Sequence, residues 1–399
     1  MKLLILSTKL PYPPKDGGAI ATLNLAKGLA RIGVNVTLLS LNTKKHYFPL
    51  EKIPENLQSL INFKAVDHNT SLRTLHALKN LLFSNKPYIA ERFYNRTFSL
   101  QLKDLLSSEE YSFIQLEGPY LSQYLPLIKD ACTAQVSLRA HNVEHEIWER
   151  RWRNEKNLIK RGYLKNLAKR IRKLETKLIR DIDLLIPISE RDRKRLLSLG
   201  RNVESITIPA GLDLSNYKPE RPIHDKSICF IGALDWTPNQ EGIQWMIKGV
   251  LPHLVRRNNQ ITFHIAGRNA PAGFINELRH PNIEFHGEIE DAKAFMGKFK
   301  VMVAPLLTGS GIRIKILEGM AMGLCIVTTS IGAEGIAVEK EKQLMIEDNQ
   351  ELFAQKILVT LDNQQLANNM SSEARKVIEE KFDTFAIASE LKDVYKKMI

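Results

Sequence analysis

Short apolar runs alternate with stretches of helical period from one end of the chain to the other. In the first half these runs predict strands at 2–8, 34–41, 61–67, 113–117, 135–141, 184–189 and 205–209. In the second half they predict strands at 227–233, 261–267, 283–286, 301–306, 325–329 and 343–346. The runs are apolar at consecutive positions rather than at every second one. Strands of that kind are buried on both faces, as in parallel sheets covered by helices. Pro209, Gly211, Pro219 and Pro222 punctuate the stretch between the two series and mark a linker. The pattern predicts an α/β protein of two doubly wound, Rossmann-like domains facing across a cleft, one over 1–210 and one over 211–384. The run after Met1 is too short for a signal-peptide core and reads as the first buried strand.

In doubly wound sheets ligands bind beyond the carboxyl ends of the strands, so chemistry is expected in the strand-to-helix turns. The first such turn carries Gly17 and Gly18 at the start of a helix that Gly33 ends. Paired glycines there let a ligand approach free backbone N–H groups, or simply make the turn. His141 falls where a strand ends, which suits a polar group touching substrate. His145 lies four residues on, but the pair lacks the H-E-x-x-H pattern and a ligand set, so no metal site is expected. Asp181 and Asp183 precede a strand and so sit at the wrong end of a sheet for ligand binding; Asp183 reads as the residue that opens the strand.

Residues 309–323, GSGIRIKILEGMAMG, fit neither a dinucleotide fingerprint nor a phosphate loop, because the spacing of glycine and lysine is wrong for both. What remains is a helix expected to start near Gly311, with Ser310 as its N-cap. Arg313 and Lys315 oppose the positive end of the helix dipole. An anion at that end reconciles them: a diphosphate would take the helix N–H groups, Gly311, Ser310 and both cations together. Glu318, about 12 Å along the axis from Ser310 at 1.5 Å per residue, would then meet ribose hydroxyls. The plain alternative is a surface ion pair between Lys315 and Glu318.

Charge changes the picture at one place. The net charge is +13, and residues 149–180 hold thirteen Lys and Arg against three Glu. Leu164, Leu167, Ile171, Leu174 and Leu178 recur at helical spacing inside that segment. It reads as a basic helix, either docked with a solvated face or attached to an anionic membrane surface. Nucleic acid is not expected, since aromatic residues are sparse there and no nucleic-acid motif accompanies them. Cys132, Cys229 and Cys325 show no metal or redox spacing and suit reduced residues of a cytoplasmic protein.

The stretch 301–336 resembles the donor-site signature of the GT-B retaining glycosyltransferases of the family-4 type. Further parts of the chain join the resemblance: the Gly17–Gly18 loop, His141, IPAGLDLSNYKP, CFIGALDWTPNQEG, FHIAGR and IEFHGEIED. It is closest to a bacterial envelope-polysaccharide branch. The resemblance implies transfer of a sugar from a nucleotide-sugar donor to a glycan or lipid-linked acceptor, with retention and without a metal or other cofactor. It also implies base contacts near Gly287, Glu288 and Ile289. His141 with Gly17 and Gly18 would hold donor sugar and acceptor. A last helix at about 385–399 would return to the first domain, and the protein would be cytoplasmic or peripheral on the membrane. The chain departs from the pattern at Ser310, where the family keeps a Glu, at Ala233, where it keeps an Arg, and at Ala210, where it keeps an Asn. The family's Lys is also missing from LDWTPNQEG. A nucleotide-sugar epimerase on the same fold and a non-catalytic basic binding protein are the competing readings.

Overall fold

The structure, a computed structural model, describes residues 1–200, 203–219, 222–309 and 311–399, with Asp225 as backbone only. The chain divides into two compact units. One is Met1–Gly211 together with Thr384–Ile399, and the other is Leu212–Asp383.

The first unit holds a parallel sheet of β1 (Lys2–Ser7), β2 (Asn35–Thr43), β3 (Ile61–His68), β4 (Phe113–Glu117), β5 (Gln135–Ala140), β6 (Leu184–Pro187) and β7 (Glu204–Ser205). Its order is β3-β2-β1-β4-β5-β6-β7. Leu3, Leu4, Ile5 and Leu6 are all fully buried, as the consecutive apolar run requires. The second unit holds β8 (His224–Ile231), β9 (Thr262–Ala266), β10 (Ile283–Gly287), β11 (Phe299–Ala304), β12 (Cys325–Thr328) and β13 (Met345–Ile346). These are also parallel, in the order β10-β9-β8-β11-β12-β13. Both sheets therefore reverse their strand order once, between β1 and β4 and between β8 and β11.

Two expected elements are corrected. The strand at 205–209 shortens to two residues, although Ile206 and Ile208 still donate to the carbonyls of Leu185 and Pro187. The basic segment 149–180 is not one helix. It breaks after the helix Glu144–Asn154, and a new helix, Leu158–Asp181, starts where the Asn157 side chain accepts from the Lys160 N–H. The second helix buries Leu164, Leu167, Ile171 and Leu178, whereas Leu174 is only half-buried. Glu175 is buried on that face too. Its carboxylate accepts from the N–H groups of Glu144 and His145 and meets the His145 ring at 2.6 Å. That one side chain caps the preceding helix and turns it onto the basic one. Asp183 does open β6, exchanging hydrogen bonds with Val136.

Candidate functional site

In the second unit the order reversal lies between β8 and β11, which makes the turns after these two strands the place where a ligand fits. After β8 comes Gly232, after β11 the loop to Arg313. The helix Ile314–Ala321 begins three residues later than expected, and its N-cap is Arg313, without a side-chain cap bond. Ser310, the expected cap, lies outside the described residues. Gly309 and Gly311 have φ of 122° and 78°, conformations that side chains rarely adopt, and these tight backbone turns delay the helix.

Lys315 crosses from the β11 side to the β8 side. Its Nζ donates to Asn239 Oδ1 at 2.8 Å and sits 4.1 Å from the centroid of the Phe230 ring. Asn239 is buried and held by its own amide donating to Ala233 O at 2.7 Å. A Cβ on Gly232 would come 2.8 Å from Asn239 Nδ2 and 3.1 Å from Lys315 Nζ, so glycine there opens the turn to both. Burial, with Arg313 beside it, pulls the Lys315 pKa down to about 7. Two crowded cations at a helix N-terminus gain most from a dianion.

Glu318 follows on the same helix. It does not pair with Lys315 in the structure; Tyr217 Oη donates to its Oε1 at 2.9 Å. Burial raises the Glu318 pKa, while the Tyr217 bond and Lys293 oppose the rise. Lys293 Nζ lies 5.2 Å from the Tyr217 ring centroid, and Arg375 Nη1 donates to Tyr217 O at 2.9 Å. Glu318 stands five residues past the cap, about 7.5 Å along the axis, which is nearer the helix start than the sequence placed it. Gly287 ends β10 with φ of 68°, and its carbonyl accepts from Gly267 N–H at 2.7 Å. Glu288, exposed, and Ile289, half-buried, follow it.

In the first unit the reversal lies between β1 and β4. Asp16 caps the helix Gly17–Arg31, accepting from Ala19 N–H, and is paired with Lys9 at 2.5 Å. Gly17 and Gly18 form the first turn. Glu117 closes β4 and is buried. It meets His141 Nε2 at 2.6 Å, accepts from Thr22 Oγ1 at 2.8 Å, and has Arg139 Nη1 at 4.0 Å. Burial alone would raise its pKa, but Arg139 with the His141 and Thr22 bonds holds it at about 2. An ionised Glu117 makes Nε2 the protonated nitrogen of His141 and leaves Nδ1 as the acceptor of the neutral ring. Glu144, bonded by Tyr120 Oη at 2.7 Å, has its pKa raised to about 7 by burial. His145 belongs to Glu175 and is not brought together with His141 in a ligand set.

Sequence reading gave no role to Glu117, Asn239 or Tyr217, and considered Glu144 only as a metal ligand beside His145, a role it set aside. Glu117 had a signal, an acid that ends an apolar strand just before Gly118, whose φ is 96°. Tyr217 lies in the IPAGLDLSNYKP stretch of the resemblance, but nothing there marked it as a partner of Glu318.

The model of the family "Glycosyl transferases group 1" matches residues 225–363. The second unit contains the whole of this match and is called the group 1 domain after it. That domain contains Arg313, Lys315 and Glu318. Over 98% of its length the chain is 23% identical to the "Uncharacterized 44.6 kDa protein in cps region" of Klebsiella pneumoniae, of which it covers 98%. Among solved structures it is similar to sucrose-phosphate synthase from Thermosynechococcus elongatus, with a TM-score of 0.75 at 14% identity over 100% of this chain and 99% of that one. Anabaena Alr3699/HepE in complex with UDP matches with a TM-score of 0.72 at 14% identity over 100% of both chains. TarM matches with 0.73 at 14% identity over 99% of this chain and 98% of that one. The fold around the group 1 domain is that of the GT-B glycosyltransferases.

Proposed function

We propose that the protein transfers a sugar from a nucleoside-diphosphate sugar to a glycan or lipid-linked envelope acceptor, with retention at the sugar carbon. The observation that carries this reading is the pairing of Arg313 with Lys315 at the start of the helix that also carries Glu318. The diphosphate takes the two cations and the helix N–H groups, and Glu318 with Tyr217 takes ribose hydroxyls. The backbone at Gly287, Glu288 and Ile289 takes the base. Two features support a nucleotide donor: the match to a group 1 domain, and the UDP and UDP-glucose complexes of the similar Anabaena protein. A relative from a cps region supports an envelope glycan as acceptor.

The cations do the chemical work at the leaving group. They are stronger partners for a departing diphosphate than for the neutral glycosyl bond, so they favour the transition state. His141, oriented by Glu117, is the acceptor-side polar group, and Gly17 and Gly18 offer backbone N–H groups beside it. In this reading no cofactor and no metal is needed at the reacting atoms. The N-terminal unit handles the acceptor and the group 1 domain handles the donor. The basic helix Leu158–Asp181 rests on an anionic membrane surface where a lipid-linked acceptor resides, making the protein cytoplasmic and peripheral.

Titration calorimetry with a panel of nucleoside diphosphates, then their sugars, tests the donor site. Lys315→Ala should weaken nucleoside diphosphate binding about tenfold or more, since a hydrogen bond to a charged group contributes about 1.5–3 kcal/mol. Unchanged affinity in that variant, or no diphosphate bound by the native protein, would remove the reading.

A further inference from the structure

Outside the donor site, the second sheet carries three ligand-type side chains on neighbouring strands. His264 lies on β9; Glu284 and His286 lie on β10, two residues apart and so on one face. His264 Nδ1 and His286 Nε2 are 3.0 Å apart. His264 Nδ1 is 3.4 Å from Glu284 Oε2, and His286 Nε2 is 3.5 Å from Glu284 Oε1. A tetrahedral Zn²⁺ with bonds of about 2.0–2.1 Å has ligand-to-ligand edges of about 3.3–3.4 Å. The two carboxylate contacts run to different oxygens of Glu284, so one of them turns in to make the third corner; one ligand atom from each residue already lies within 4.8 Å of the other two. We propose that His264, Glu284 and His286 form a binding site for a divalent transition metal, Zn²⁺ by preference, at the edge of the second sheet.

The donor set narrows the cation. Two imidazoles and one carboxylate suit Zn²⁺ and its neighbours in the first transition row, and do not suit Ca²⁺ or Mg²⁺, which take oxygen. The surroundings fit a bound ion. His264 is buried; Phe295 meets the His286 ring edge-on at 5.2 Å, and Phe299 lies tilted against the His264 ring at 4.8 Å. Glu284 is exposed, which leaves an approach from water and a fourth position for it. The ring that now donates in the His264–His286 hydrogen bond carries its hydrogen on the other nitrogen once the metal is bound. No bond to carbon changes, and the ion sits on β9 and β10 away from Arg313 and Lys315. Its role is structural. β10 is the edge strand, with an irregular register between Phe285 and Gly287. A metal ties it to β9 directly beneath the Gly287 turn.

Equilibrium dialysis of the chelator-treated full chain against Zn²⁺, and the visible spectrum of the Co²⁺-loaded protein, test this. The expected result is one ion per chain at micromolar or lower concentration, a Co²⁺ spectrum of tetrahedral character, and a higher melting temperature on loading. His286→Ala and Glu284→Gln should each weaken binding at least tenfold. Glu284 is exposed, so its variant folds even where the histidine variant does not. No binding, or binding changed less than tenfold by Glu284→Gln, overturns the proposal. Because the readout is the metal itself, a failure of nucleotide binding leaves this test intact.

Discussion

Lys315 is the residue whose environment says most about its task. Its ammonium is half titrated near pH 7 because burial and Arg313 disfavour the charged form. A diphosphate bound there, as proposed, would restore that charge, so the bound protein would hold the proton to higher pH than the free one. Affinity for a nucleoside diphosphate should therefore fall as pH rises above about 7, and Lys315→Arg, charged throughout, should flatten that slope. Calorimetry between pH 6.5 and 9 reads both. Glu117 works in the opposite direction. Its folded pKa of about 2 lies below the usual 4.5, so its contribution to stability is complete above pH 4.5 and is lost as pH falls toward 2. Glu117→Gln should remove that part of the acid unfolding curve. It also leaves Arg139 buried without its counter-charge, at a cost of about 3–5 kcal/mol. In transfer assays the same variant should keep donor binding and lose turnover, because His141 loses the carboxylate that sets its tautomer. Equal loss of donor affinity would contradict the assignment of His141 and Glu117 to the acceptor side.

At the scale of elements, strands were readable because burial on both faces writes itself as consecutive apolar residues. The thirteen expected strands all have counterparts, and the errors sit at their ends. The candidate site was readable where charge conflicts with local structure, as with Arg313 and Lys315 at a helix start. It was not readable where a partner comes from far along the chain. Nothing near Glu318 announces Tyr217, and nothing near His141 announces Glu117. The helix start moved because two glycines with positive φ hold the loop open, a backbone property that composition only hints at. One helix between β3 and β4 was not singled out by the sequence reading. Thr74–Phe83 leaves Leu75, Leu78, Leu82 and Phe83 at 78%, 55%, 65% and 81% exposure, a spacing that puts them on one helical face. Arg170 of the basic helix donates to Asn80 and Leu81 at the end of this helix, so the apolar face lies beside the cationic one. Such a pair suits the interface of an anionic bilayer, where apolar burial and cations act together. No helix among the described residues is long and apolar enough to cross a membrane. The chain should sediment with vesicles rich in anionic lipid and not with neutral ones. Leu78→Asp with Leu82→Asp should abolish that while leaving nucleoside diphosphate affinity unchanged. Sedimentation unaffected by the double substitution would rule out this face.

At the scale of the molecule, the order of elements along the chain and their order in space part company once. The last helix, Thr384–Met398, follows the group 1 domain in sequence but completes the first unit. Ile387, Ala388, Leu391 and Tyr395 are buried there, in one cluster with β1, β2, β4 and the helix Gly17–Arg31. Tyr395 stacks on Phe113 at 4.1 Å and donates to Gln115 Oε1 at 2.6 Å. Gln115 in turn donates to Glu117, so the helix reaches the carboxylate that orients His141. Burying a large apolar side chain contributes about 1.5–3 kcal/mol. Ile387, Leu391 and Tyr395 together therefore reach the order of a whole domain's net stability, about 5–15 kcal/mol. A chain ending at Asp383 should lose the fold of its first unit while the group 1 domain, whose own core involves none of these residues, still melts cooperatively. A single substitution separates this from a general effect of truncation. Gly28 faces the helix so closely that a Cβ would lie 2.9 Å from the Thr384 carbonyl oxygen and 2.9 Å from the Ala388 Cβ. Gly28→Leu should push the helix off with its full sequence present. Near-ultraviolet dichroism and limited proteolysis would then show cleavage in 1–211 and protection in 212–383. Native-like protection of the first unit in both variants would show that the helix covers the sheet without holding it together.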